Sequence, residues 1–185
     1  MRSTARTITV TEYLQGEKGS PVRHEYVDGQ VYAMAGASDR HNRLSLNVAS
    51  RLSDHLGAGP CQVFISDMKI MADDRVYYYP DVTVTCGPPG ADPYFRTQPV
   101  LIVEVTSPGA ERIDSNEKLF AYKRIPSLLE YVLISQDQML VQIHRRVERD
   151  RWEIETLSEP LAKLRLESVG LTLGLDDIYR NSALG

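Results

Sequence analysis

The apolar run from Val100 to Val105 constrains the fold of this chain more than any other stretch. It reads Val-Leu-Ile-Val-Glu-Val, so aliphatic residues occur on both faces of an extended chain. A strand with one face in water would alternate with polar residues, and we therefore expect a central strand that is buried on both sides. Glu104 is its one charged residue. A buried ionised carboxylate is costly unless it has a partner, so Glu104 needs a basic residue, water or a metal ion nearby.

The segments that follow this run predict a parallel strand pair. A helix is expected from about residue 113 to 125, where Pro126 ends it, and a second buried strand at residues 130–135. A strand, a helix and a strand in this order form a βαβ unit and indicate an α/β fold with a mixed sheet. The chain length fits one domain, residues 1–185.

Other elements are predicted on both sides of this unit. Asp28-Gly29 is the strongest hairpin signal and separates strands at about 24–28 and 30–35. Apolar residues four apart predict a long helix from His41 to Leu56. The remaining expectations are a short helix near residues 9–14 ending by Gly16, one strand from 61 to 72, strands at 76–79 and 82–86, a hairpin of 139–147 with 151–157, and a docked tail near 166–179. Proline lacks an N–H, so Pro80 implies a break in strand pairing.

Composition excludes some classes of function. The formal net charge of −4 argues against nucleic-acid binding by overall charge, although a local basic groove remains open. No apolar run approaches the ~18 residues of a membrane helix, and residues 1–10 lack the features of a signal peptide. Cys61 and Cys86 fit no metal-ligand spacing. Two ordinary buried thiols and a cytoplasmic location are therefore expected.

Carboxylates and a lysine cluster around the central strand and suggest a metal site. Asp81 begins one apolar strand and Glu104 lies inside another, while Asp114, Lys118 and Tyr122 share one face of the following helix. Hard cations such as Mg²⁺ prefer oxygen ligands, typically one or two carboxylates with water and phosphate. Simpler explanations stay open: a basic partner for Glu104, a turn role for Asp81, and a surface ion pair between Asp114 and Lys118.

The order of these residues resembles a known nuclease pattern. The sequence Pro80-Asp81, followed by Glu104 and then Lys118, is similar to the PD-(D/E)XK nuclease superfamily. The segments RHEYVDGQVYAMAGAS, YYPDVTVTC, LIVEVTSPG and LLEYVLIS more closely resemble the Uma family of bacterial restriction-endonuclease-like proteins. The resemblance covers most of the chain. It implies a restriction-endonuclease-like mixed β-sheet flanked by helices, with an N-terminal hairpin and a C-terminal antiparallel hairpin.

The resemblance also implies roles for individual residues. Asp81 and Glu104 would bind Mg²⁺ or Mn²⁺, with the Val105 carbonyl as a further ligand and Glu25 as an accessory acid. Thr106 stands where the superfamily usually has its lysine, and Lys118 on the helix would replace that lysine. Tyr122 and Asp114 would orient Lys118. His41 opens the long helix; it could touch a phosphate, but a capping or surface role is favoured for it.

Two further groups of residues could contact nucleic acid, although a structural role is favoured for each. Tyrosines 77–79 could stack on bases, and Arg145, Arg146, Arg149 and Arg151 could contact phosphates. The first hypothesis is a metal-dependent endonuclease that hydrolyses DNA, and a homodimer is expected by analogy because cutting two strands often uses two sites. The alternative is a non-catalytic nucleic-acid-binding or protein-interaction module on the same fold.

Overall fold

The structure is a computed structural model that describes residues 7–88, 90–107 and 114–183, with only the backbone described at 114 and 115. The helices are α1 Val10–Gly19, α2 Asp39–Leu56, α3 Asp114–Lys123 and α4 Leu175–Ile178. The strands are β1 His24–Val27, β2 Gln30–Ala33, β3 Gln62–Ile65, β4 Lys69–Asp73, β5 Val76–Tyr78, β6 Val82–Thr85, β7 Phe95–Arg96, β8 Pro99–Thr106, β9 Glu130–Ser135, β10 Val141–Glu148, β11 Arg151–Leu157, β12 Lys163–Leu166 and β13 Leu171–Gly174.

The apolar run forms a central strand, as predicted. The largest sheet has the order β11-β10-β9-β8-β6-β3, so β8 has three strands on one side and two on the other. It pairs parallel with β9 and antiparallel with β6. Leu101, Ile102 and Val103 are almost fully buried. The strand, α3 and β9 form the predicted βαβ unit, and the mixed α/β fold is confirmed.

The two faces of β8 pack against different parts of the chain. Val103 and Val105 join the core that α2 covers with Leu44, Val48 and Leu52. Ile102 points to the other face and packs with Tyr122 of α3 and its neighbours. Glu104 is two residues beyond Ile102 and shares its face by the period of two in a strand. The central carboxylate therefore faces α3, the helix that carries Lys118.

A second sheet, of order β2-β1-β5-β4-β7, carries the predicted N-terminal hairpin. β1 and β2 pair antiparallel around Asp28 and Gly29, which have φ angles of +48° and +90°. Two positive φ angles are what a tight two-residue hairpin turn requires, and glycine adopts such angles without strain. The hairpin prediction is confirmed, and it places Glu25 on the second sheet.

The chain passes repeatedly between the two sheets, and two of these passages, β3 to β4 and β5 to β6, bear on predictions from the sequence. The single strand expected at 61–72 is wrong, because β3 ends at Ile65 and β4 begins at Lys69 in the other sheet. Ser66 has a φ of +42°, and its N–H donates to the Asp81 carbonyl at 3.1 Å. The break expected at Pro80 is confirmed, since β5 and β6 lie in different sheets. Asp81 is thus at the junction of the two sheets.

The ends of the chain are more regular than the sequence indicated. The first helix, expected near residues 9–14 and ended by Gly16, Gly19 and Pro21, extends to Gly19 and begins with a capping box between Thr9 and Glu12. At the other end β12, β13 and α4 pack onto the main sheet. Tyr179 is fully buried, and its hydroxyl accepts the Leu140 N–H at 3.0 Å. The predicted docking of the tail is therefore confirmed. None of the helices that the structure describes has the length and apolar character of a membrane span.

The two cysteines are not free thiols, which corrects the sequence prediction. Cys61 precedes β3 and Cys86 follows β6, and the two are joined in a disulfide across this antiparallel pair. The spacing rule that excluded a metal site could not reveal the pairing, because it depends on strands 25 residues apart in sequence. Free thiols therefore no longer support a cytoplasmic location.

Reduction of this disulfide is expected to lower the free energy of unfolding by about 3 kcal/mol, because the link closes a loop of 25 residues in the unfolded chain. Urea denaturation with and without reductant measures the effect. The Cys61→Ala, Cys86→Ala double variant is the control, and reductant should not shift its midpoint. Equal midpoints for the oxidised and reduced protein would contradict the prediction.

Candidate functional site

The two predicted metal carboxylates lie opposite each other on neighbouring strands. β6 and β8 pair with Val82 opposite Val103, so one step further along places Asp81 opposite Glu104. Residues opposite each other on one face of an antiparallel pair have Cβ atoms about 4.5–5.5 Å apart. The junction at Pro80 ends the regular strand, and there the sheet opens into a cleft that both carboxylates line. The fold therefore brings Asp81 and Glu104 together.

Both oxygens of Asp81 are held in place. Its Oδ2 accepts the Val105 N–H at 2.7 Å, and its Oδ1 lies 2.7 Å from His41 Nε2. His41 is in the first turn of α2, which Ser38 caps by accepting the His41 N–H. The His41 side chain is thus neither the cap nor a surface group, although one of those roles was favoured from sequence. These contacts fix the orientation of the Asp81 carboxylate.

Glu104 is surrounded by groups from α3. The Tyr122 hydroxyl donates to Glu104 Oε1 at 3.1 Å, and Lys118 Nζ lies 3.8 Å from the same oxygen. Both of these contacts fall on Oε1. Burial first, and then the nearby Glu104, raise the pKa of Tyr122 well above its usual value, which keeps the hydroxyl protonated as a donor.

Lys118 is held between two carboxylates. Its Nζ donates to Glu25 Oε1 at 2.7 Å, and the same Glu25 oxygen accepts the Tyr79 N–H at 3.3 Å. Lys118 also lies over the ring of Tyr78, 5.4 Å from its centre. The lysine therefore reaches the site from α3 rather than from β8, as the departure at Thr106 implied. Glu25 belongs to the site although it comes from the second sheet.

The described part of the site combines the carboxyl groups of Glu25, Asp81 and Glu104 with Lys118 and His41. Lys118 Nζ lies 2.7 Å from Glu25 Oε1 and 3.8 Å from Glu104 Oε1, whereas Asp81 contacts His41. The pKa of Glu104 is raised to about 8, chiefly because the side chain is buried; Lys118 opposes this, while the charges of Asp81 and Glu25 add to it. A bound cation would favour the ionised form of Glu104.

The oxygen donors of the site fit a hard divalent cation. No group of three or more His, Cys, Asp or Glu side chains in the described residues is arranged to hold a metal ion. Mg²⁺ needs fewer protein ligands than that, because it keeps several waters and commonly binds one or two carboxylates. Asp81 and Glu104 supply such a pair, and Val105, whose carbonyl the resemblance adds, lines the same cleft.

The cleft is large enough for a small organic ligand. Its volume is about 980 Å³, near the upper end of the roughly 300–1,000 Å³ typical of small-molecule sites. The carboxyl groups and Lys118 line it, together with β2 and the loop that follows β2, residues 32–37. Ser38, Thr106 and Gln136 also line the cleft, and Ser38 donates to the Gln136 side chain at 2.7 Å.

Other candidates from the sequence lie elsewhere. Asp114 begins α3, but its side chain lies outside the described residues. Tyrosines 77–79 are all buried, so they belong to the core and their faces are not open to bases. Two arginines of the β10–β11 hairpin serve the fold: Arg145 pairs with Glu130 and Glu155, and Arg146 donates to backbone carbonyls. Arg149 and Arg151 are exposed near the turn, where Arg151 forms a surface ion pair with Glu148.

Sequence reasoning missed a buried polar cluster beside the site. Glu17 of α1 accepts the Tyr79 hydroxyl at 3.0 Å and the His24 N–H at 2.9 Å. Lys69 of β4, also buried, donates to the same hydroxyl at 3.2 Å. Tyr79 adjoins Pro80-Asp81, so this cluster holds the chain where it changes sheets. The only signal in the sequence was a lysine inside an apolar strand pattern at residues 68–72.

The fold and the site together define a class of protein, a restriction-endonuclease-like domain with a paired-carboxylate cleft. The chain belongs to the Uma2 family, whose model, described as "Putative restriction endonuclease", matches residues 10–176. Two curated relatives come from Synechocystis sp. The "Uncharacterized protein slr1290" is 37% identical over 174 residues, 93% of this chain and 91% of that protein. The "Uncharacterized protein sll1609" is 35% identical over 159 residues, 84% and 90% respectively.

A solved structure shares the fold. It is described as a "putative nuclease belonging to DUF820" from Anabaena variabilis, and it superimposes with a TM-score of 0.75. The match covers 93% of this chain and 97% of that one at 18% sequence identity. An identity this low supports the fold alone. The predicted restriction-endonuclease-like fold is thereby confirmed.

Proposed function

We propose that this protein is a metal-dependent endonuclease that hydrolyses phosphodiester bonds in DNA. The observation that carries the proposal is the opposition of Asp81 and Glu104 on β6 and β8, with Lys118 Nζ 3.8 Å from Glu104. Membership of the Uma2 family and the nuclease described for the structural neighbour support it. Two carboxylates and a lysine at the end of a sheet are suited to phosphoryl chemistry, because catalysis there consists mostly of positioning and charge stabilisation.

In this proposal Asp81 and Glu104 hold Mg²⁺ or Mn²⁺, with the Val105 carbonyl as a further ligand. The chemistry that such an ion supplies when bound is activation of water and neutralisation of phosphate charge. His41 and the Val105 N–H keep Asp81 oriented from its two oxygens. Tyr122 fixes one oxygen of Glu104, whose side chain lines the cleft. These groups preorganise the ligands before an ion arrives.

In this proposal the ammonium group of Lys118 contacts the reacting phosphate or the water molecule that attacks it. Glu25 holds the ammonium group at 2.7 Å, so the lysine is positioned without a metal ion. An ammonium group that is already fixed can stabilise charge that develops on a phosphate, since no reorganisation is needed at the moment of reaction. Glu25 is thus an accessory acid that acts through Lys118. A homodimer stays a prediction, since cutting both strands of a duplex would use two such sites.

The proposal is tested by adding divalent ions to the metal-free protein. Calorimetric titration with Mn²⁺ and Mg²⁺ should show one saturable site. At an ion concentration of 100 times Kd, the protein should gain about 2.7 kcal/mol of stability, seen as a rise in melting temperature. Plasmid and single-strand DNA are then incubated separately with the same ions; at least one of the two should be cut, and chelation should stop the reaction.

The same experiments separate the proposal from its rival. A non-catalytic binding module on this fold would bind no divalent ion at Asp81 and Glu104 and would leave every substrate intact. Because carboxyl groups lie near Lys118, phosphate should bind poorly in the absence of a divalent ion. DNA binding should therefore depend on a divalent ion if the protein has the metal site. DNA binding of equal strength with chelator and with Mn²⁺ would contradict the metal site.

A further inference from the structure

An exposed tyrosine belongs to the uncharged segment, residues 32–37, that lines the cleft. Tyr32 lies on β2, the edge strand of the five-stranded sheet, and is 56% exposed. Within the described part of the chain no group hydrogen-bonds its hydroxyl, whereas the buried tyrosines Tyr79 and Tyr122 each have partners. A large apolar ring exposed at the wall of a cleft is a candidate for contact with a ligand.

The register of the hairpin places this ring beside the acidic site. β1 and β2 pair with Glu25 directly opposite Tyr32, and both residues line the cleft. Side chains opposite each other in an antiparallel pair share one face and have Cβ atoms about 4.5–5.5 Å apart. Glu25 in turn holds Lys118 at 2.7 Å. The Tyr32 ring is therefore one side chain away from the lysine that we place at the phosphate.

The lining of the cleft has two parts, as a nucleotide has. Residues 32–37 read Tyr-Ala-Met-Ala-Gly-Ala and carry no charged side chain. Asp81, Glu104 and Lys118 line the same cleft and suit a phosphate only together with a cation. A flat aromatic base beside an anionic phosphate has the same division, and base faces stack well on tyrosine.

A single strand presents such a nucleotide more readily than a duplex does. Bases in a duplex are stacked on each other, so their faces reach an aromatic side chain only after unstacking. A cleft of about 980 Å³ can enclose a small ligand, whereas a duplex would have to remain at its mouth.

We propose that Tyr32 stacks on a nucleobase next to the bound phosphate, and that the substrate of this site is single-stranded DNA. The inference rests on the proposed function, because it uses the phosphate position that Lys118 and the carboxylates define. Tyr32 is then a substrate-binding residue that selects for an accessible base. It requires no movement of β2, since the ring is already exposed on the wall of the cleft.

The test measures binding apart from cleavage. Dye-labelled oligonucleotides with cleavage-resistant phosphorothioate linkages are titrated in Mn²⁺ and followed by fluorescence anisotropy. The wild type should bind a single strand about tenfold more tightly than a duplex of the same sequence. Tyr32→Ala should weaken single-strand binding about tenfold, and Tyr32→Phe should retain it because the ring remains.

Matched controls exclude a general loss of aromatic surface. Tyr94 is 51% exposed and does not line the cleft, so Tyr94→Ala should bind like the wild type. An oligonucleotide of abasic sites should bind wild type and Tyr32→Ala equally, since neither can stack on a missing base.

Each contrary result overturns a different claim. Wild-type affinity of Tyr32→Ala for single strands, a preference for duplex, or no nucleic-acid binding at all would overturn the role of Tyr32. Failure of the wild type to cut any DNA with Mg²⁺ or Mn²⁺ would instead overturn the proposed endonuclease function. Binding that depends on Tyr32 without any cleavage would support the stacking contact and leave only the hydrolysis refuted.

Discussion

Asp81→Asn and Glu104→Gln are each expected to lower the rate of metal-dependent DNA cleavage by about a thousandfold or more, roughly 4 kcal/mol in transition-state stabilisation. Each substitution replaces a charged oxygen ligand by a neutral amide of the same shape. Asn at position 81 can still accept the Val105 N–H, the contact that holds Oδ2 at 2.7 Å in the wild type. The rate constant under single-turnover conditions in Mg²⁺ and in Mn²⁺ checks the prediction.

Stability should not follow activity in these variants. Burial and the charges of Asp81 and Glu25 disfavour the ionised form of Glu104, so neutralising Asp81 or Glu104 removes part of that penalty. We expect the free energy of unfolding of both variants to stay within about 1 kcal/mol of the wild type or to rise. The control is Asp67→Asn, an exposed carboxylate paired with Arg23, which should retain full activity. Wild-type cleavage by either site variant would refute the proposed ligands.

The sequence predicted the parts of the site that depend on strand patterns. A glutamate in a buried apolar run and an aspartate after Pro80 are visible without a structure, and the four-residue step from Lys118 to Tyr122 indicates one helix face. The structure brings Asp81, Glu104, Lys118 and Tyr122 together as this reasoning expected. Glu25 was named through the resemblance, and its contact with Lys118 gives that suggestion a geometry.

The contacts that the sequence did not predict depend on pairing between distant segments. His41 meets Asp81 across 40 residues, and Tyr32 lies beside the site only because β2 pairs with β1 in a particular register. The Cys61–Cys86 disulfide also follows from the pairing of β3 with β6. Local periodicity predicts which face of its own helix or strand a residue occupies. It does not predict which distant element packs against that face. The prediction of one strand at 61–72 was wrong for a related reason. Ser66 adopts a turn conformation, which the apolar residues on both sides of it do not indicate.

Glu130→Ala is expected to lower the free energy of unfolding by about 3–5 kcal/mol, the largest effect on stability that we predict. Glu130 begins β9 and is only 2% exposed. Its Oε1 accepts from Arg145 at 3.2 Å and from the Glu167 N–H at 3.0 Å, while Oε2 accepts the Ser168 N–H at 2.9 Å. Truncation would leave Arg145 Nε and two backbone donors without their acceptor. Chemical denaturation followed by circular dichroism measures the loss.

A matched variant distinguishes the buried carboxylate from an ordinary ion pair. Glu155 contacts the same Arg145 at 2.5 Å, but its side chain is 47% exposed, so Glu155→Ala should cost less than about 1 kcal/mol. Glu130 joins the β12–β13 turn to the start of β9, the strand that pairs in parallel with β8 and supports Glu104. Loss of the Glu130 side chain should therefore destabilise the β12–β13 hairpin first. The amide hydrogens of residues 163–174 should then exchange earlier than those of β8. Equal losses of stability in the two variants would mean that Glu130 contributes only through Arg145 and not through the backbone donors of the turn.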